Sequence, residues 1–183
     1  MTVAYLGLGA NLGDARQSLK DAVIALAQRP GIIVLGKSSL YQSAPVDASG
    51  DDYLNVVIAI GTLLTPRALL ELCQDVEREF GRERPFHNAP RTLDVDILLY
   101  GDLDMSEPDL RIPHPRMTER AFALLPLLEL DGDVIVPGKG RAADYVAAVR
   151  DQRIEIVTTC QCRIPTASTA AAARGACGPG NTR

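Results

Sequence analysis

The sequence contains no tryptophan, and aromatic residues make up only 4% of its 183 residues. Proteins that bind RNA on a sheet surface stack bases on aromatic side chains of the central strands, beside basic residues. The chain also has no excess of positive charge, because its formal net charge is −4 at pH 7. These two shortages argue against nucleic-acid binding.

Long apolar runs and cysteines are scarce as well. No run is long enough to cross a bilayer, and the first residues lack a charged segment followed by an apolar one. We therefore expect a cytoplasmic protein without a membrane partner. Of the four cysteines, Cys160 and Cys162 could bind a metal, but no second pair stands at ligand spacing. We interpret the cysteines as reduced thiols without a special role.

The chain is long enough for one domain with a sizeable core. Beyond Thr158 it becomes rich in alanine, threonine and glycine and offers little to bury. We expect residues 1–158 to form the domain and residues 159–183 to be a disordered tail.

Two glycine-rich segments resemble phosphate-binding loops, but neither has the required context. Residues 7–14 hold three glycines, and the third falls one place late for the G-x-G-x-x-G fingerprint. Residues 31–38 match G-x-x-x-x-G-K-[ST], but their inner residues are Ile-Ile-Val-Leu, which favour a strand. A phosphate loop needs a preceding strand and a helix that starts at the lysine. We predict a tight strand-to-helix turn at residues 7–14 and a second strand over residues 32–41.

The most informative stretch is RTLDVDILLY, residues 91–100, which is typical of a strand. Alternation places Asp94 and Asp96 side by side on one face. The other face is apolar and suits the core, with Leu93, Val95, Ile97 and Leu99. Neighbouring carboxylates repel each other unless a cation lies between them, and Mg²⁺ uses one or two carboxylates plus waters and phosphate oxygens. By itself, an Asp-x-Asp pair is more often just two solvated side chains.

Arginines on both sides of this strand change the interpretation. Residues 82–91 contain three arginines and a histidine in an otherwise acidic protein. Arginine forks match phosphate oxygens bidentately. Arg116 and Arg120 lie four residues apart, and we place them on the first turn of a later helix. That end of a helix favours anions, so a bound phosphate would explain two cations there. Together these residues suggest a polyphosphate site.

The predicted elements run β-α-β-β-α-β, followed by additional pieces. This order is typical of a ferredoxin-like α+β sandwich, an antiparallel sheet with both helices on one face. Asp14 with its capping-box partner Gln17 starts the first helix, and Thr65 starts the second. On the strand over residues 53–62, Tyr53 and Asn55 share the face opposite the core. An aromatic ring beside an amide could hold a flat heterocycle, although an exposed strand face explains these two residues equally simply.

Four segments resemble the 6-hydroxymethyl-7,8-dihydropterin pyrophosphokinase family. They are AYLGLGANLG at residues 4–13, DYLN at residues 52–55, PRTLDVDILLYG at residues 90–101 and IPHPRM at residues 112–117. The resemblance covers about residues 1–158. It implies that a monomer transfers pyrophosphate from ATP to the hydroxymethyl group of the pterin, with release of AMP, in folate biosynthesis.

The resemblance also implies roles for individual residues. Asp94 and Asp96 would hold two Mg²⁺ ions, and would be catalytic together with Arg82 and Arg91. The ATP contacts would be Leu70, Gln74, Glu77, Arg84, Arg91, Ile97, Ile112, His114, Pro115, Arg116 and Arg120. The pterin slot would be formed by Ser43, Ala44, Pro45, Val46, Tyr53, Asn55 and Phe122. Loops 42–52 and 82–90 would be mobile lids.

The sequence departs from the family pattern just before the aspartate strand. Many relatives carry Arg-Trp-Gly where this chain has His87, Asn88 and Ala89, which removes an aromatic wall from the lid. Two other functions stay open at this point. One is a non-catalytic ferredoxin-like module that binds a small ligand or RNA, and the other is a palm-like nucleotidyl transferase or cyclase that uses the same Asp-x-Asp pair.

Overall fold

The computed structural model describes residues 1–46, 50–81 and 93–158, and it contains a mixed α+β fold. The strands are β1 (Thr2–Ala10), β2 (Ile32–Lys37), β3 (Leu40–Ser43), β4 (Tyr53–Thr62), β5 (Asp94–Tyr100), β6 (Met105–Ser106), β7 (Arg111–Ile112), β8 (Ile135–Val136), β9 (Gly140–Arg141) and β10 (Ile154–Thr158). The helices are α1 (Ala15–Ala27), α2 (Pro66–Glu79), α3 (Ala121–Leu130) and α4 (Val146–Val149). Short 3₁₀ turns cover Met117–Glu119 and Ala142–Tyr145. The main sheet is antiparallel, in the order β10-β3-β4-β1-β5, and β2 also pairs with β4.

The predicted helix starts are confirmed. Asp14 accepts a hydrogen bond from the Gln17 amide at 3.0 Å, and Thr65 Oγ1 accepts one from the Ala68 amide at 3.2 Å. Each bond satisfies one of the amides that a helix start leaves without an internal partner. The predicted capping box is wrong in one detail, because the Gln17 side chain donates to Asp21 at 2.8 Å instead of returning to Asp14.

The predicted strand over residues 32–41 is two strands rather than one. Ser38 and Ser39 interrupt it between β2 and β3. Ser38 exchanges two bonds with Val57, because its amide donates to the Val57 carbonyl at 2.9 Å and its hydroxyl accepts from the Val57 amide at 3.0 Å. The seryl side chain thus replaces a ladder bond where the strand breaks. No helix starts at Lys37, so the rejection of a phosphate loop at residues 31–38 is confirmed.

The main sheet is buried on both faces. On one face, α1 and α2 cover apolar residues of β1, β4 and β5, among them Leu6, Ile58 and Val95. On the other face, α3 covers Tyr5 and Val57. The additions after β5 therefore close much of the face that the β-α-β-β-α-β pattern leaves open. Among the helices of the described ranges, none is long and apolar enough to cross a membrane.

A β-bulge changes which side chains of β5 share a face. Leu6 pairs with Ile97, whereas the preceding residue, Tyr5, pairs with Leu99, so Leu98 is an extra residue. Val95 and Ile97 face α1 and α2, but Leu99 lies in the cluster under α3. The prediction that Leu99 shares the face of Val95 and Ile97 is therefore wrong. An inserted residue shifts the strict two-residue alternation of a strand by one.

Candidate active site

Asp94 and Asp96 lie on β5 opposite two glycines of β1. Gly9 pairs with Asp94 and Gly7 pairs with Asp96, and directly opposed residues of an antiparallel pair share a face. A Cβ atom on Gly9 would lie 3.3 Å from the Asn55 side-chain oxygen. The two glycines therefore leave open space beside the carboxylates that any other residue would fill.

This space belongs to a pocket of about 260 Å³ on the α3 side of the sheet. It lies between β1, β4 and β5, the segment after β3 and the start of α3. Of the residues predicted for the site, ten line it: Ser43, Ala44, Val46, Tyr53, Asn55, Asp94, Asp96, His114, Arg120 and Phe122. Six of the seven residues predicted for the pterin slot thus line the same pocket as the aspartate pair, and the exception is Pro45.

Six further lining residues were missed by sequence reasoning, namely Gly7, Leu8, Gly9, Val56, Leu98 and Ala123. The pattern that could have revealed Gly7 and Gly9 is their two-residue spacing within a strand, which predicts two gaps on one face. We predicted a turn at residues 7–14 whose glycines allow close backbone approach, whereas β1 extends to Ala10 and includes both glycines.

One end of the pocket is built around a buried amide. Asn55 is only 5% exposed, and its amide nitrogen donates to Ser43 Oγ at 2.9 Å and to the Tyr53 carbonyl at 3.3 Å. The register explains this contact, because Ser43 pairs with Tyr53 two residues from Asn55. A buried amide with two partners is held in one orientation. Tyr53 on β4 and Phe122 on α3 both line the pocket, so two aromatic rings lie around it.

The other end carries His114 and Arg120. The His114 amide donates to the Leu98 carbonyl at 2.9 Å, and its Nδ1 accepts from the Arg116 amide at 3.2 Å. This leaves Nε2 as the ring donor of the neutral histidine. Burial lowers the pKa of His114 below its ordinary value, and nearby Arg120, Arg116 and Lys139 lower it further, against the opposing charge of Asp96. The guanidinium of Arg120 lies 5.5 Å from the centre of the Phe122 ring.

The predicted helix turn with Arg116 and Arg120 on one face is wrong. A 3₁₀ turn, Met117–Glu119, separates them, and Arg120 caps α3 with an extended backbone. This tighter turn buries Met117 completely in the cluster under α3. As a result Arg120 lines the pocket, whereas Arg116 lies near Glu119, with 3.7 Å between Nε and the carboxylate.

Several residues predicted to contact ATP lie outside the pocket. Ile97 and Ile112 are buried in the core under the sheet, Leu70 is half-buried, and Gln74 and Pro115 are exposed. ATP contacts by these residues stay predictions.

Glu77 is only 3% exposed and accepts from the Val95 amide at 2.9 Å. Pro45 lines a smaller cavity of about 200 Å³ behind the segment 43–46. Residues 82–92, which include Arg82, Arg84 and Arg91, lie outside the described residues, as do residues 47–49 of the first predicted lid and the predicted tail 159–183.

A further cation near the pocket was not predicted. Lys139, in the turn between β8 and β9, donates to the Pro115 carbonyl and to Thr118 Oγ1, both at 3.1 Å. It thereby ties the loop that carries His114 to a distant part of the chain. No motif marks this lysine in the sequence.

The donor set limits which metal would fit. Within the described ranges, no group of three or more histidine, cysteine or acidic side chains could enclose an ion. Among the described residues, Asp94 and Asp96 would thus have to be supplemented by oxygen ligands from water or substrate. Mg²⁺ is commonly bound in this way, by one or two carboxylates plus waters and phosphate oxygens.

A scan against protein families matches residues 5–132 to 7,8-dihydro-6-hydroxymethylpterin-pyrophosphokinase (HPPK). The chain belongs to the HPPK family. It is 44% identical over 140 residues to the 2-amino-4-hydroxy-6-hydroxymethyldihydropteridine pyrophosphokinase of Methylorubrum extorquens, a match that covers 76% of this chain and 89% of the relative. The enzyme of the same name from Bacillus subtilis is 43% identical over 129 residues, with 70% and 77% covered. Membership of the HPPK family makes the chain a pyrophosphokinase, an enzyme that transfers diphosphate.

Some HPPK relatives are longer proteins. The chain spans 38% of the length of the bifunctional protein FolKE of Lactococcus lactis, at 38% identity over 131 residues. Among solved structures, an HPPK-DHPS protein in complex with substrates superposes with a TM-score of 0.66 at 11% identity, covering 80% of this chain and 43% of that one. At this identity the likeness shows the fold alone.

Proposed function

We propose that the protein transfers the terminal pyrophosphoryl group of ATP to the hydroxymethyl group of 6-hydroxymethyl-7,8-dihydropterin, giving AMP and the pterin diphosphate in folate biosynthesis. The observation that carries this proposal is one pocket that joins an amide-and-aromatic slot to a carboxylate pair. A flat heterocycle and a polyphosphate need these two environments side by side.

The pterin would occupy the end with Asn55, Tyr53 and Phe122. Its ring is flat and rich in donors and acceptors, so aromatic faces and a fixed amide suit it. Ser43 holds the Asn55 amide, and Ala44 and Val46 line the same wall. We also propose that Pro45 contacts the pterin, because it lies between Ala44 and Val46 in this short segment.

The triphosphate would occupy the end with Asp94, Asp96, His114 and Arg120. Asp94 and Asp96 would hold Mg²⁺, two ions with ATP bound, and the metal would neutralise and orient the phosphates. His114 offers its Nε2 proton and Arg120 its guanidinium to phosphate oxygens. Phosphoryl transfer needs positioning and charge neutralisation more than a covalent nucleophile, and we assign no general base.

The remaining assignments rest on the family resemblance. We propose Arg82 and Arg91 as catalytic, with Arg84, Arg116 and the α2 residues as nucleotide contacts. We also infer a ferredoxin-like core, which is supported by the strand order β4-β1-β5 and by the packing of α1 and α2 against one face. A monomer in the cytoplasm stays a prediction.

The test is product analysis. With Mg²⁺, ATP and the hydroxymethyl pterin, we expect equal amounts of AMP and pterin diphosphate, and neither without the pterin or with a chelator. ADP as product, or no turnover with this acceptor, would overturn the proposal. Cyclic nucleotide or polymer products would instead indicate a nucleotidyl transferase or cyclase.

A further inference from the structure

Gln152 and Arg153 connect three walls of the pocket although neither lines it. They stand immediately before β10, the edge strand that pairs with β3. We propose that these two residues are positioning residues that hold the walls on the pterin side of the pocket in place. The inference rests on the proposed function, because it assigns these walls to the pterin.

Gln152 holds the start of α3. Its side-chain oxygen accepts from the Ala121 amide at 2.8 Å, and its side-chain nitrogen donates to the Glu119 carbonyl at 2.7 Å. These two groups flank Arg120, whose own side chain makes no cap bond to α3. A helix start leaves amides without internal partners, and here a residue more than thirty positions away supplies one. Gln152 thereby fixes the direction in which Arg120 and Phe122 leave the backbone.

Arg153 holds the other two walls. Its carbonyl accepts from the Ala44 amide at 3.1 Å. Its guanidinium makes a bidentate contact with Asp52, in which Nη1 donates to Oδ2 at 2.8 Å and Nη2 donates to Oδ1 at 2.5 Å. Asp52 also accepts from the Gln42 side chain at 2.8 Å and directly precedes Tyr53. A bidentate guanidinium–carboxylate pair fixes orientation as well as distance.

These bonds matter because the wall they hold borders a second cavity as well as the pocket. The segment 43–46 and Phe122 face the pocket on one side and the 200 Å³ cavity on the other. Phe122 also packs against the apolar cluster under α3, so the hydrogen bonds from Gln152 and Arg153 add to packing where open space adjoins the wall. The Arg153 side chain is 63% exposed, so its ion pair with Asp52 adds little to global stability. Its effect is on geometry.

The first test separates the two substrates by steady-state kinetics. Arg153→Ala should raise the KM for the pterin about tenfold and leave the KM for ATP within about twofold, because small displacements of a positioning wall cost binding at that wall. Gln152→Ala should lower kcat/KM for both substrates about tenfold, since it holds Arg120 as well as Phe122. Arg141→Ala is the matched control, because it breaks a comparably exposed ion pair, with Asp133, away from the pocket.

The pairing itself is tested by rescue and coupling. Arg153→Lys keeps the charge but cannot make the bidentate contact with Asp52. Its KM for the pterin should therefore lie between those of the wild type and Arg153→Ala. Asp52→Ala combined with Arg153→Ala should be no worse than Asp52→Ala alone, since the first change already removes the contact that Arg153 makes. An unchanged pterin KM in Arg153→Ala, or additive losses in the double variant, would overturn the inference.

Hydrogen exchange, which needs no substrate, tests the positioning role separately from the proposed pyrophosphokinase activity. If the wild-type protein forms no AMP, the proposed function fails, and hydrogen exchange then decides the positioning role. The Ala121 amide should exchange faster in Gln152→Ala, because this change removes its acceptor. In Arg153→Ala the carbonyl that accepts from Ala44 remains, and the Ala44 amide should exchange faster because that carbonyl is no longer anchored through Asp52. The thermal midpoint of Arg153→Ala should be unchanged, since the lost ion pair is exposed. Exchange equal to that of Arg141→Ala would overturn the positioning role.

Discussion

At the scale of single residues, the site depends on two positions that carry no side chain. Gly7 and Gly9 expose bare backbone opposite Asp96 and Asp94. Backbone can approach a ligand more closely than any side chain allows, and it leaves the carboxylates accessible. On the same face of β1, two residues before Gly7, the Tyr5 side chain fills the space under α3.

The carboxylates give the most direct residue-scale prediction. Asp94→Asn or Asp96→Asn should lower the Mg²⁺-dependent rate of AMP formation by about a thousandfold, because each removes a charge that would bind the metal. The measurement is initial rate at saturating ATP. Asp102→Asn, an exposed change just past the same strand, is the control and should keep the wild-type rate. Near-normal rates in both site variants would contradict the metal assignment.

The sequence predicted pocket residues where side chains suited to ligand binding recur at every second position of a strand. Asp94, Asp96, Tyr53 and Asn55 stand on predicted strands at positions that alternation places on one face. Lys139 could not be found in this way, since its contacts depend on where a late turn packs. The predicted roles for residues 82–91 stay predictions.

At the scale of elements, β5 is the edge strand that carries the aspartates, and α2 secures its outer side. The Val95 amide donates to the buried Glu77 carboxylate rather than to another strand. An edge strand otherwise presents unpaired amides. Glu77 therefore links the helix to the strand that positions the site.

This link predicts a stability change. Glu77→Ala should lower the free energy of unfolding by about 1–3 kcal/mol, because it leaves the buried Val95 amide without its acceptor. Urea denaturation measures the change. Glu71→Ala, an exposed change on the same helix, should stay within about 0.5 kcal/mol of wild type. Equal effects of the two substitutions would show that the bond to Val95 contributes nothing.

Element boundaries were predictable where they depend on local chemistry. The starts of α1 and α2 follow from single capping residues, Asp14 and Thr65. The break at Ser38 and the bulge at Leu98 were not predictable, because each is decided by the strand alongside. Alternation within one strand does not reveal an extra residue relative to its neighbour.

At the scale of the whole molecule, the sheet separates two apolar clusters. Cys73 lies fully buried in the cluster formed with α1 and α2. Burial raises the pKa of its thiol to about 12, and the charge of Asp96 adds to the effect. Only the thiolate reacts with disulfide reagents, so this cysteine should be inert in the folded protein.

A thiol assay checks this expectation. In a variant with Cys160, Cys162 and Cys177 replaced by serine, the remaining thiol should react with an aromatic disulfide at least about a hundredfold more slowly than in denaturant. The denatured sample of the same variant is the control. Rapid labelling under native conditions would mean that this core opens without global unfolding.

The positioning contacts of Gln152 and Arg153 bear on where the functional unit ends. The family-model match stops at residue 132, and every described residue that lines the pocket lies before that point. The bonds to Ala44, Glu119 and Ala121 come from residues 152 and 153. A chain cut at residue 132, where the family-model match ends, would keep every described residue that lines the pocket and lose the bonds from Gln152 and Arg153. On the proposed positioning role, a domain boundary drawn from the family model alone would end 21 residues before Arg153 and omit contacts that the pocket of this enzyme needs.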